Sequence, residues 1–137
     1  MENKTTKARQ HWMAILAKAD PARLEHMVSQ LGVNPGYRFV RTPETGMVMI
    51  RAKADGSGQQ FNFSETTVTR CTLATNEGYI GHSYVMGRSH RHAELAALMD
   101  AYLNDPYMHA IVMESVIHPL EIEWKAHREQ QASETAA

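Results

Sequence analysis

Eight histidines make metal chemistry the first possibility to weigh. The densest group is His90-Arg91-His92-Ala93-Glu94. At a helix start, His90 and Glu94 share a face at i, i+4 spacing, while His92 lies about 160° round from Glu94. That is a poor three-ligand set. It also lacks the two histidines at i, i+4 that a zinc-protease helix needs. The ordinary reading is a solvated helix start, with one histidine contacting a neighbour. Gly87-Arg88-Ser89 precedes this segment. Ser89 is a natural N-cap, free backbone N–H groups there favour anions, and Arg88 could add a bidentate grip on phosphate. Most Gly-X-Ser helix starts, however, are simply caps.

Other single residues carry weaker signals. Gly56-Ser57-Gly58 lacks the Gly-Lys-Ser/Thr ending of a phosphate-binding loop and reads as a loop between strands. Thr67, Thr69 and Arg70 fall in a strand-like run. Arg70 near Arg51 or Arg88 would make a basic site; a partly exposed, salt-bridged sheet face is the plainer reading. Cys71 has no evident His–Asp pairing and reads as a buried structural thiol. Glu44, beside Gly46, reads as a turn residue rather than a catalytic acid. No complete active site emerges. Such a chain more often binds a partner or completes another protein's site.

Composition narrows the class. A chain of 137 residues is one domain's worth, and 43% hydrophobic with 21% charged residues is ordinary globular composition. Fourteen Lys and Arg against fifteen Asp and Glu leave a formal charge of −1, which disfavours a nucleic-acid or membrane-surface binder. One cysteine cannot make an internal disulfide or a cysteine-rich zinc or iron–sulfur site. The polar start, Met1 to Gln10, has no signal-peptide core, and no apolar run approaches the ~18 residues of a membrane span. A soluble cytoplasmic location is expected. The nine Met residues read mostly as core filler, although Met also serves adaptable contact surfaces.

The elements follow from periodicity. Trp12, Ile15, Leu16 and Ala19 share one helical face, and Leu24, Met27, Val28 and Leu31 share another. Asp20-Pro21 between them suits an N-cap and first helical position, and Gly32 is placed to end the second helix. Tyr37 to Arg41 and Met47 to Lys53 suggest a hairpin about a turn at Pro43-Glu44-Thr45-Gly46. Asp55-Gly56-Ser57-Gly58 is a second turn, and Gln60 to Phe63 could start a third strand. Thr66 to Thr75 reads as a long strand, Asn76-Glu77-Gly78 as a turn, and Tyr79 to Met86 as another strand. Leu95, Leu98, Met99 and Tyr102 lie on one face of a following helix, ended at Asn104-Asp105-Pro106. A weak helical segment spans Met108 to Ser115, His118-Pro119 breaks the pattern, and Glu121 to Gln131 is helix-prone. The expected fold is α+β: a single domain over residues 1–137, mainly antiparallel β-sheet flanked by N-terminal and C-terminal helices, with ends frayed over about residues 1–5 and 132–137.

Several of these segments, in order, resemble the PhnG family, a subunit of the bacterial carbon–phosphorus lyase complex. They are Arg9-Gln10-His11-Trp12-Met13, Glu44-Thr45-Gly46, Gly56-Ser57-Gly58, Thr67-Val68-Thr69-Arg70, Gly78-Tyr79-Ile80-Gly81, and Gly87-Arg88 leading to His92-Ala93-Glu94. Leu98-Met99-Asp100-Ala101 and Ile117-His118-Pro119-Leu120 continue the match, which runs from about Arg9 to Arg128. Each motif is weak alone; their shared order and spacing carry the resemblance.

The resemblance implies a role. PhnG-type subunits assemble with PhnH, PhnI and PhnJ subunits, two copies of each. With PhnH, PhnI and PhnL, PhnG is required for an alkylphosphonate to displace adenine from ATP, giving a ribose 1-alkylphosphonate 5-triphosphate. This is the α-D-ribose 1-methylphosphonate 5-triphosphate synthase step. The nucleosidase activity is credited to PhnI. Carbon–phosphorus cleavage, with an iron–sulfur cluster and S-adenosylmethionine, is credited to PhnJ. No cofactor or metal is then expected in this chain, and the isolated chain is expected to be inactive. Arg70, Arg88, His92 and Glu94 are the candidate site residues, as phosphate contacts or as a subunit interface. PhnG-like chains continue into a short Phe-rich segment with a Met-Val-Arg-Gly-like ending. This sequence stops at Ser133-Glu134-Thr135-Ala136-Ala137 without it, and a docking role for that segment would make assembly depend on it.

An accessory subunit should carry apolar contact surface that it cannot bury alone, and should self-associate when isolated. The Met surplus, Trp124 and Tyr107 are compatible with that. The alternative is a stand-alone phosphate- or nucleotide-binding protein using Arg70, Arg88, His90 and His92, with salt-sensitive affinity. A nucleic-acid module is disfavoured by the charge and by the lack of a basic stripe with interleaved aromatics.

Overall fold

A computed structural model of the chain describes residues 2–33, 36–53 and 61–136. Helices α1 (Glu2–Lys18) and α2 (Pro21–Gln30) come first. Strands β1 (Tyr37–Lys53), β2 (Phe61–Thr75) and β3 (Ile80–Met86) follow, then helices α3 (His90–Leu103), α4 (His109–Val112) and α5 (His118–Ala136), with a π-helical turn at Met113–Ile117. The sheet is antiparallel in the order β1-β2-β3. This is the α+β domain that the periodicities imply.

The helix ends obey local chemistry. The Asp20 carboxylate accepts the Arg23 N–H at 3.1 Å and Pro21 opens α2. Gly32, at φ +68°, closes that helix in the left-handed region. Ser89 caps α3 by accepting the His92 N–H at 3.1 Å. The expected apolar faces are buried: Trp12, Ile15 and Leu16 on α1, and Leu24 and Met27 on α2.

Expectations in two regions of the chain are corrected. Tyr37 to Lys53 is one strand, not a hairpin. The register slips between Phe39 and Arg41 and again between Arg41 and Glu44, then resumes with Thr45 opposite Thr69. Pro43 and its neighbours are absorbed in that irregularity. An edge strand tolerates Pro there, because the missing N–H breaks no central ladder. Of the strand expected from Gln60 to Phe63, Phe61 to Phe63 begin β2 and Gln60 lies outside the described residues, so the described sheet has three strands where about four were expected. The expected turn Asp55-Gly56-Ser57-Gly58 lies outside the described residues.

The second correction is at His118-Pro119, which does not break the helix. Helix α4, the π turn and α5 run on continuously. The His118 N–H reaches the Met113 carbonyl, five residues back. In a regular α-turn the Pro119 ring would crowd the Ser115 carbonyl, which Pro119 cannot bond in any case. A widened π turn relieves that conflict.

Helix α3 lies over the inner face of the sheet and under α1 and α2. From Ala93 to Leu103 every residue except Glu94 is buried, so the expected one-sided face is nearly a whole circumference. Small residues make this possible. Gly81 of β3 runs so close beneath α3 that a Cβ there would sit 1.9 Å from the Ala97 carbonyl oxygen. Leu16, Leu73, Val85, Leu95, Met99 and Ile117 complete the core. Met27 and Met99 are buried and Met13, Met108 and Met113 pack against the core, whereas Met47, Met49 and Met86 on the sheet are exposed. No helix among the described residues is long and apolar enough to cross a membrane.

Candidate functional site

The most heavily bonded side chain is Asp100 of α3, fully buried. Its Oδ1 accepts from Trp12 Nε1 at 2.8 Å and Arg9 Nε at 3.2 Å. Its Oδ2 accepts from Arg9 Nη2 at 2.8 Å and from the His82 backbone N–H at 2.9 Å. Four donors from α1 and β3 satisfy one carboxylate. Arg9 is held above its already high range, chiefly by this hydrogen bond. A shallow cleft of about 370 Å³ opens beside the pair, lined by Arg9, Gln10, Met13, His82 and Asn104 among others.

His92 is structural. It is buried, and its Nε2 lies 2.9 Å from the Leu16 carbonyl oxygen. A carbonyl only accepts, so Nε2 carries the proton and pins α3 to the end of α1. The plainer reading expected a solvated helix start with one histidine contacting a neighbour; here His92 is buried, and both His92 and His90 meet a neighbour. Glu94, on the opposite side of α3, accepts from the Tyr37 hydroxyl and from Arg91 Nη1 at 3.1 Å. Arg91 also grips Glu25 of α2, Nε to Oε1 at 2.9 Å and Nη2 to Oε2 at 2.8 Å. This network ties α2, α3 and β1 together. It pushes Tyr37 up to about 12, burial contributing most and the Glu94 charge and hydrogen bond less. The Arg91 hydrogen bond holds Glu25 below the usual carboxylate range.

A hydroxyl chain runs beneath the Gly87-Arg88-Ser89 turn. Thr69, fully buried, donates to the Gly87 carbonyl at 2.7 Å. Its one proton is thereby used, so the 2.9 Å contact with Thr45 must be donated by Thr45. By the same logic His90 Nε2 donates to Thr45 Oγ1 across 3.0 Å. The direction of every bond follows from the one carbonyl at its end. Gly87 itself sits at φ +100°, and its N–H closes on the Thr67 carbonyl at 2.8 Å. Arg88 projects from this turn into solvent.

Arg70 stands elsewhere, exposed on the outer face of the sheet between Glu44 of β1 and Tyr84 of β3. The four candidates therefore do not form one constellation. His92 and Glu94 are spent on packing, Arg88 lies at a turn, and Arg70 lies on the outer sheet face. Glu44 is a strand residue opposite Arg70, not a turn residue. Cys71 is buried, and burial pushes its thiol up to about 11, with the Glu94 charge adding to it. Among the described residues no three His, Cys, Asp or Glu side chains gather as a metal site.

Sequence reasoning passed over the Arg9–Trp12–Asp100 knot. A signal was present: Asp100 sits among apolar residues on every side of a helix, where an acid needs donors. Both arms also fall in motifs that carry the family resemblance.

The sequence pattern described as "Phosphonate metabolism protein PhnG" matches residues 7–137. The chain is also similar to the "Alpha-D-ribose 1-methylphosphonate 5-triphosphate synthase subunit PhnG" of Rhizobium meliloti (strain 1021). The two are 34% identical over 129 residues, covering 94% of this chain and 82% of that relative.

Proposed function

The chain belongs to the PhnG family of phosphonate-metabolism proteins, and on that premise we propose that it is a subunit of the assembly that transfers the ribose 5-triphosphate group of ATP to an alkylphosphonate such as methylphosphonate. A phosphonate oxygen bonds to the ribose carbon as the bond to adenine breaks, and adenine leaves. In this reading the chain works with PhnH, PhnI and PhnL, and it belongs to a core with PhnH, PhnI and PhnJ in two copies each. The nucleosidase chemistry belongs to PhnI. The iron–sulfur cluster and S-adenosylmethionine belong to PhnJ: a cluster needs several thiolates, and this chain has one cysteine, with a buried thiol.

One observation carries the accessory role. The acids and histidine best placed to do chemistry are committed to holding elements together: Asp100 to Arg9 and Trp12, Glu94 to Arg91 and Tyr37, and His92 to Leu16. Freeing any of them for a substrate would uncouple a helix. The exposed apolar residues of the sheet, Met47, Met49, Ile80, Tyr84 and Met86, suit a chain that meets others.

The test is co-expression with PhnH, PhnI and PhnJ, read by native mass spectrometry, together with adenine release from ATP and methylphosphonate by PhnH, PhnI and PhnL with and without this chain. The expected result is a complex containing all four proteins, and adenine release only when the chain is present. A chain that stays alone and is dispensable for adenine release would overturn the reading. Calorimetry of the isolated chain with ATP and methylphosphonate separates the stand-alone binder, because specific binding abolished by Arg88→Ala would favour that instead.

A further inference from the structure

Apart from Arg88, exposed at its turn, the arginines with described side chains divide into two sets. Arg9, Arg23 and Arg91 are locked to Asp100, Glu123 and Glu25, and Arg128 lies over the Trp124 ring, all among the helices. Arg38, Arg41 and Arg70 form no ion pair or hydrogen bond among the described residues, and all three are exposed.

The register puts these three on one surface. Arg38 pairs across to Ala74 and thence to Ile80; Arg41 to Thr72 and His82; Glu44 to Arg70 and Tyr84. Directly opposed residues share a face, so these rows lie together on the side away from α3. The inner rows, such as Thr45, Thr69 and Val85, face the helices. The outer face thus has a cationic stripe along β1 and β2. Beside it runs an apolar stripe along β3: Ile80 and Tyr84 are each 48% exposed and Met86 is 65% exposed. Glu44 is the acid in these rows, and it is not engaged even by Arg70 opposite.

We propose that this open sheet face is the docking surface for an acidic, partly apolar face of another subunit of the complex. The inference rests on the subunit reading above and adds the surface and its chemistry. Charge complementarity carries it. Arg38, Arg41 and Arg70 stand in successive rows with no acid bonded to any of them among the described residues, and an acidic partner would neutralise them while steering its own approach. Arg, Tyr and Met are the residue types enriched in interfaces. The clefts beside Arg9, Arg23, Glu25, Met27 and Tyr107 are walled by other residues than these three arginines. A whole-chain charge of −1 makes this a local patch rather than a general polycation.

The test co-expresses PhnH, PhnI and PhnJ with the wild-type chain, with Arg38→Glu/Arg41→Glu/Arg70→Glu, and with the milder Arg38→Gln/Arg41→Gln/Arg70→Gln. Native mass spectrometry reads assembly and circular dichroism reads folding. The wild-type complex should weaken as salt rises from about 0.1 M to about 1 M. The Glu variant should assemble at least about tenfold less, and the Gln variant to an intermediate extent. If the Glu variant misfolds, the Gln variant alone decides. Wild-type and Gln chains that assemble equally at every salt concentration would overturn the docking face and leave the subunit reading standing. A wild-type chain that does not assemble would overturn both. A single-stranded RNA oligonucleotide that binds the wild-type chain and not the Gln variant, with subunit assembly intact in both, would assign the face to nucleic acid and overturn the proposal.

Discussion

The Arg9 guanidinium lies edge-on against the Asp100 carboxylate, 91 residues away in sequence, in a two-point ion pair whose acid is fully buried. The pair, with Trp12 Nε1 and the His82 N–H, makes α1, α3 and β3 depend on one another. Arg9 remains about one-third exposed, so water can reach only one side of the bond.

Arg9→Met is therefore expected to cost about 3 kcal/mol in urea unfolding, the low end for breaking a buried pair. The loss arises because the buried Asp100 carboxylate loses both Arg9 donors and keeps only Trp12 and His82. A change below about 1 kcal/mol, in the range of a surface pair, would show that the knot does not organise the core.

Gly81→Ala tests the helix–sheet contact. A Cβ there meets Ala97 O at 1.9 Å and Ala101 N at 2.6 Å, both backbone atoms that no rotamer can move. Either α3 lifts or β3 bends. The expected cost is about 1–3 kcal/mol, as for overpacking a core, with α3 amides exchanging faster. Unchanged stability would mean that the layers separate freely.

The parts legible in the sequence are those set by local chemistry. Asp20, Ser89 and Gly32 announce helix ends through side-chain acceptors and a left-handed backbone. Trp12, Ile15 and Leu16 announce a buried face through spacing alone. Pro43-Glu44-Thr45-Gly46 misleads because turn residues also suit a bulge, and the choice is made by the partner strand: Thr69 and Val68 wait opposite Thr45 and Gly46. His118-Pro119 misleads for a similar reason. A proline ends a regular helix but not one already widened to π geometry. In the site, residue type picks out Arg70, Arg88, His92 and Glu94 equally. Only tertiary neighbours separate them: Leu16 claims His92, Tyr37 and Arg91 claim Glu94, and nothing among the described residues claims the two arginines.

Thr69→Val tests the directed hydroxyl chain. The substitution keeps the shape and removes both the donor to Gly87 O and the acceptor for Thr45. It should cost about 0.5–1.5 kcal/mol, the net worth of a hydrogen bond, because Gly87 is exposed and water can replace the lost donor. Amide exchange should quicken around Gly87 and Arg88 before the core loosens. In the wild-type chain, nitrogen NMR should find the His90 proton on Nε2. A neutral His90 protonated on Nδ1 would contradict the order of donation.

Cys71 links burial to pH. Its thiol rises from 9.0 to about 11 on folding, first through burial and second through the Glu94 charge. The folded state thus favours the protonated form. Its contribution to stability is whole below the unfolded value and fades as pH climbs through about 11. Cys71→Ala should flatten the decline in stability over that interval. At pH 8 the native thiolate is about a hundredfold scarcer than in the unfolded chain, and Leu73, Val85 and α3 shield it. A thiol reagent should therefore label native protein at least that much more slowly than urea-unfolded protein. Equal rates would show that β2 opens on the labelling timescale, and the central strand would then be no anchor for the exposed face that Arg70 shares.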